Sequence, residues 1–129
     1  MSAADISPGL RAFIARHINS VEQVEALLLL RRTRPRAWNA ERLAAELRTS
    51  VMSAEQRLHD LASRGLIERR QGDYVYAPES AELEDRVEEL ADAYVTYRYT
   101  IIELIFAKPM DNIRSLAQAF RLRKGEDDG

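Results

Sequence analysis

Apolar residues recur at helical spacing through most of the chain and give way to alternation in only one short stretch. Ser7-Pro8 is a cap followed by proline at the first helical position. Leu10, Phe13, Ile14, His17 and Ile18 then share one face, which predicts a short first helix. Ser20 with Gln23 three positions on has the form of a capping box, and Val21, Val24, Leu27 and Leu28 supply the stripe of a second helix running to about Arg32. Pro35 ends it. Arg36-Ala37-Trp38 reads as a short extended segment, because Trp favours a pleated surface and the residue before a proline avoids helix. Asn39 caps a third helix carrying Leu43, Ala44 and Leu47. After the polar break Arg48-Thr49-Ser50, a fourth helix puts Ala54, Leu58 and Leu61 on one face and stops at Gly65, where a left-handed cap is required. Ile67 to Arg70 and Tyr74 to Tyr76, joined across Gln71-Gly72-Asp73, read as two strands of a hairpin.

Beyond Pro78 the pattern predicts one long helix from about Ser80 to Ala107. Leu83, Val87, Leu90, Tyr94, Tyr97, Ile101 and Leu104 are spaced alternately by four and three, which is a heptad seam. The second half adds Val95, Tyr99, Ile102, Ile105 and Phe106, so it needs burial on more than one side. The seam is expected to hold two copies of the chain together; the competing arrangement folds the helix back onto its own hairpin domain. Pro109 breaks the pattern, Asp111 can cap a last helix bearing Ile113, Leu116, Ala117 and Phe120, and the residues from Lys124 on are expected to fray. The expected organisation is a helix-and-hairpin domain over residues 1–78, a helical dimerisation region over 79–124 and a disordered tail over 125–129, in a mainly α fold with one small β-hairpin.

Charge separates these regions. The chain has 129 residues and a formal net charge of −2, yet Arg31 to Gly72 contains ten arginines against five acids, whereas Asp73 to Glu103 contains nine acids against two arginines. The basic middle suits a polyanion and the acidic segment does not. With no cysteine, disulfides, thiolate zinc sites and thiol nucleophiles are excluded, and a cytoplasmic location is the default expectation. The longest apolar run, Ala26 to Leu30, is far short of a membrane span, and Met1 to Pro8 has no leader-like pattern. The only histidines, His17 and His59, have no second metal ligand at useful spacing on their own helices, and neither a phosphate-binding glycine loop nor a nucleophile elbow is present. No catalytic site, metal or cofactor is expected. Carboxylate pairs such as Glu84/Glu88 and Asp85/Glu89 read as a solvated helix face.

Helix, short strand, helix, tight turn, helix and hairpin is the element order of a winged helix-turn-helix. The stretch Leu43-Ala44, Leu47, Ser50, Ala54, Leu58, Leu61, Arg64-Gly65-Leu66-Ile67 resembles, without a gap, the signature of MarR-like and PadR-like bacterial regulators. That resemblance covers about half the chain and implies a DNA-binding transcription regulator whose flanking helices dimerise. Small Ala44 and Ala54 allow two helices to cross closely, and the opposite face of the later helix is left for a groove. Its outward positions are Met52, Gln56, His59, Asp60 and Ser63, with Ser53 and Arg57 on one flank. Gln56 can pair with adenine, Met52 can touch a thymine methyl and Ser53 can donate or accept. Ser50, Arg48 and Arg57 are suited to phosphates, and Arg69, Arg70 and Gln71 on the wing to an adjacent minor groove or backbone. Glu55, Asp60 and Glu68 oppose this, since phosphate repels carboxylates. Arg31 to Arg36 is either a phosphate-binding loop or an ordinary basic helix end. Tyr94, Tyr97 and Tyr99 are either core or the lining of an effector pocket. The rival to double-stranded DNA as partner is a protein docked on a winged-helix adaptor; neither partner involves a membrane.

Overall fold

Of the first five helices, four begin at a serine and the third at an asparagine, each in extended backbone with its side-chain oxygen accepting an otherwise orphaned N–H. In the computed structural model, which describes residues 6–107, these caps set α1 (Pro8–His17), α2 (Val21–Arg32), α3 (Ala40–Leu47), α4 (Val51–Ser63) and α5 (Ala81–Thr96). The caps are Ser7, Ser20, Asn39, Ser50 and Ser80 in that order. The last helix expected after Asp111 and the tail over 125–129 lie outside the described residues.

α4 ends in two bonds that close its final turn: Gly65 N–H donates to the Ala62 carbonyl and Leu66 N–H to the Leu61 carbonyl, both at 3.1 Å. This geometry needs a left-handed residue at Gly65 (φ 77°), and a Cβ there would also collide with the Glu79 carboxylate. The hairpin follows at once. Strands β1 (Ile67–Arg70) and β2 (Asp73–Tyr76) pair antiparallel from Ile67 opposite Tyr76 to Arg70 opposite Asp73. Gln71 and Gly72 form a two-residue loop with both φ values positive, the backbone of a type I′ turn. Trp38 exchanges two 2.8 Å backbone hydrogen bonds with Tyr74, so the extended segment expected before α3 does reach the hairpin.

α3 and α4 cross over Leu43, Ala44, Ala54, Leu58 and Leu61, all buried, and α4 also packs on α2. One hydrophobic cluster runs from Ile6 through these helices to Ile101 and Ile105, so the core continues across Pro78. The fold is mainly helical with one two-stranded sheet.

The long helix expected from Ser80 to Ala107 is two helices. α5 ends at Thr96, Tyr97 leaves helical geometry (φ −121°, ψ 42°), and α6 runs Arg98–Phe106. Val95, Thr96 and Tyr97 are β-branched or aromatic and hold a helix weakly. The break lets α5 and α6 each lie against α1. The heptad seam is therefore used inside the chain. Val87, Leu90 and Ile101 have no exposed surface, and Leu83, Tyr94, Tyr97 and Leu104 are half-buried against the same core.

Candidate nucleic-acid interface

The capping serine of α4 is followed by two exposed apolar residues, Val51 and Met52, the latter 73% exposed. Further along the helix, Glu55, Gln56 and His59 are exposed on the side away from Ala54, Leu58 and Leu61. Gln56 and His59 line an open groove of about 490 Å³ between α4, the start of α3 and the hairpin, where Arg69 of β1 joins them with Asn39, Glu41 and Glu55. The hairpin thus brings a guanidinium beside the helix face that sequence reasoning selected.

The same helix is fixed from behind by polar contacts that the sequence pattern did not show. Glu22 of α2 accepts from Ser53 Oγ and, at 3.0 Å, from Arg57 Nε. Burial raises the affinity of the Glu22 carboxyl for its proton, but hydrogen bonds from Ser53, Thr49 and Arg57 outweigh it and hold the group below the usual carboxylate range. Ser53 and Arg57, expected at bases and phosphates, are instead occupied in joining α4 to α2. Asp60 is also corrected. It accepts from Gln23 Nε2 at 2.7 Å and from Arg64 Nε at 3.1 Å rather than facing outward.

Gln23 is fully buried, and its side chain makes three hydrogen bonds: it accepts from Asn19 N–H and donates to the His17 carbonyl and to Asp60. The capping-box pattern located this residue but assigned its amide to the wrong N–H, one position too far along the chain. A polar residue beside Val24 and Leu27 was the available signal, and its partner on α4 is 37 positions away.

Arg48 and Ser50 are exposed where expected, at the turn between α3 and α4. Arg48 adopts the left-handed conformation (φ 57°, ψ 50°) while Thr49 N–H donates to the Ala44 carbonyl at 3.0 Å. On the hairpin, Arg69, Arg70 and Gln71 are exposed. Arg70 differs from its neighbour because its Nε donates to Glu68 at 2.7 Å, which raises the guanidinium's proton affinity and lowers that of the Glu68 carboxyl. The arginine run before α3 divides. Arg31 is half-buried and lies 3.7 Å from Glu84 and 3.9 Å from Glu88 on α5, whereas Arg36 stacks on Trp38 with its guanidinium 4.3 Å from the ring centre. Among the described residues, Arg32, Arg34, Arg36, Arg42, Arg48 and Arg69 form no ion pair.

His17 packs on Phe13 with ring centres 5.0 Å apart, and burial, then Arg64 and Arg16, lower its pKa from the ordinary value. Among the described residues no group of histidines and carboxylates is placed to hold a metal ion, and no helix is long and apolar enough to cross a membrane. Tyr94, one of the three tyrosines considered for an effector pocket, donates to Glu25 at 3.4 Å and lies under Arg98, while Tyr99 is exposed.

Geometry therefore defines a mainly helical protein with a short hairpin and an open groove beside an exposed helix face, in which Arg69 meets two carboxylates, Glu41 and Glu55. Compared with known protein families, with curated proteins and with solved structures, the chain shows no match.

Proposed function

We propose that the protein is a bacterial winged helix-turn-helix transcription regulator that binds double-stranded DNA sequence-specifically as a homodimer in the cytoplasm, without catalytic activity. The observation that carries this reading is the shared groove of Gln56 and His59 on α4 with Arg69 on the hairpin. α4 is the reading helix, with Met52 and Gln56 directed at base edges in a major groove. Arg69 and Gln71 take the adjacent minor groove or backbone, and Arg48 and Ser50 take phosphates. Ser53 and Arg57 set the angle of α4 through Glu22. Regulation by a small molecule or a protein effector is compatible with this arrangement.

Three carboxylates favour a second reading, a protein-docking module: Glu41 and Glu55 line the same groove and Glu68 lies on β1. Each repels phosphate. A mobility shift on the DNA upstream of the protein's own coding region separates the two readings. Selection from random DNA with wild type and Gln56→Ala then tests the reader. A bidentate amide contact gives about 1–3 kcal/mol of discrimination, so the variant is expected to lose preference at one position per half-site and keep its nonspecific affinity. No enriched motif with wild type, or identical motifs from both proteins, refutes α4 as the reading helix.

A further inference from the structure

The outward side of the C-terminal helices changes character at Val95. Asp85, Glu88 and Asp92, spaced by three and four, are exposed acids on α5. Continuing the same spacing gives Val95, Tyr99, Ile102 and Phe106. Val95, Tyr99 and Phe106 are 86%, 83% and 70% exposed, and Ile102 is half-exposed. α6 already commits Ile101 and Ile105 to the chain's own core. Its other side is an apolar stripe with a sharp acidic boundary, the mark of an interaction surface rather than of scattered surface residues.

We infer that this stripe is the surface on which two copies of the chain associate, with the two α6 helices side by side and parallel about a two-fold axis. Charge fixes the partner and its direction. At 3.6 residues per turn, Arg98 and Glu103 flank the stripe on opposite sides, each exposed; Arg98 also reaches Glu25 of its own chain at 3.3 Å, with more than half of its side chain still accessible to a second carboxylate. Parallel helices in this register bring each Arg98 beside the partner's Glu103, five positions further on, and symmetry makes the contact twice. Antiparallel helices instead set arginine flank against arginine flank and glutamate flank against glutamate flank. Asp85, Glu88 and Asp92 of two parallel copies repel one another, so the contact ends where the acids begin. The break at Tyr97 lets the two α5 helices diverge from it. This inference rests on the dimeric part of the proposed function and assigns its surface to the stripe, since the seam from Leu83 to Leu104 is taken up within the chain.

The test uses the full-length chain without DNA, by size-exclusion chromatography with light scattering at tens of micromolar, with helical circular dichroism as a check on folding. Wild type is expected to have the mass of two chains. Tyr99→Asp, Phe106→Asp and the milder Tyr99→Ser act on side chains that are exposed in the single chain, so they are expected to give folded monomers. Arg98→Glu alone and Glu103→Arg alone place like charges at both flanks and are expected to weaken association at least tenfold. Mixing those two variants restores opposite charges at both flanks and is expected to restore the mass of two chains. A wild-type monomer overturns the inference and the dimeric part of the proposed function together, including the case in which residues 108–129 cover the stripe. A dimer that survives the Tyr99 and Phe106 substitutions, or variants that fail to complement on mixing, overturns this surface and leaves a dimer through another one. DNA binding is decided separately by the mobility shift.

Discussion

Arg48 is the residue at which fold and proposed function pull in opposite directions. It closes α3 in the left-handed region, where a side chain with a Cβ is strained by about 1–2 kcal/mol. Glycine relieves that strain and adds about 0.5–1 kcal/mol of chain-entropy cost. Arg48→Gly is therefore expected to be neutral to stabilising, by up to about 1.5 kcal/mol, because the exposed guanidinium has no ion pair among the described residues to lose. For a chain of this size, each 1 kcal/mol moves Tm by about 4 °C. If the side chain contacts a phosphate, the same change weakens binding to all DNA sequences and makes the slope of log K against log salt shallower by about 1. Thermal denaturation together with DNA titrations at several salt concentrations reads both effects. A fall in Tm shows that the guanidinium holds the turn. An unchanged affinity and salt slope removes Arg48 from the interface.

Three further outcomes follow from named contacts. Gln23→Ala removes three side-chain hydrogen bonds and leaves a void between α1, α2 and α4, so urea denaturation is expected to show a loss of about 2–4 kcal/mol; a loss under about 1 kcal/mol contradicts the role given to this amide. Glu68→Gln frees Arg70 and is expected to raise nonspecific DNA affinity and steepen its salt dependence, while Arg69→Ala weakens binding more than Arg70→Ala; equal effects of the two arginine variants argue against the pairing as a control on the wing. His17 binds its proton less readily in the folded chain, so its contribution to stability is complete above the ordinary pKa of 6.5 and is lost as pH falls through that value towards the lowered one. His17→Gln is expected to flatten the fall in urea-denaturation free energy between about pH 7.5 and 5, and an unchanged pH dependence refutes the assignment.

Local chemistry carried most of the legible fold. Ser7, Ser20, Asn39, Ser50 and Ser80 mark helix starts because a short oxygen-bearing side chain there satisfies a backbone N–H within three residues. Gly65 and Gly72 mark the other punctuation because their backbones turn left-handed. Periodicity also found the exposed face of α4, and with it Met52, Gln56 and His59. It failed where the deciding partner is distant in sequence. Nothing near Ser53 and Arg57 reveals that Glu22 occupies both, and nothing near Asp60 reveals Gln23. The seam failed for a related reason. A four-three spacing states that one side of a helix is covered, and whether a second copy or α1 covers it depends on the bend at Tyr97.

The formal charge of −2 does not weigh against DNA, because ion pairing removes little of the separation visible along the chain. Between Arg31 and Gly72, Arg31, Arg57, Arg64 and Arg70 are paired, two of them with acids from outside that stretch: Arg31 with α5 and Arg57 with Glu22. Asp60 and Glu68 are the acids neutralised within it. Six arginines then face three acids, Glu41, Glu46 and Glu55, none of the nine in an ion pair among the described residues, so the excess of positive charge persists after the contacts are made. The acidic excess lies on α5, where Glu82, Asp85, Glu88 and Asp92 are exposed. A polyanion is attracted to the arginine-bearing helices and hairpin and repelled from α5, and exposed charges separated by more than about 10 Å act independently at ordinary salt. This division has a consequence for the carboxylates in the groove. Glu41 and Glu55 cannot abolish attraction set by six arginines, but they oppose phosphate at short range. On the proposed reading, close entry of α4 is then favourable only where Gln56 and Met52 find matching base edges.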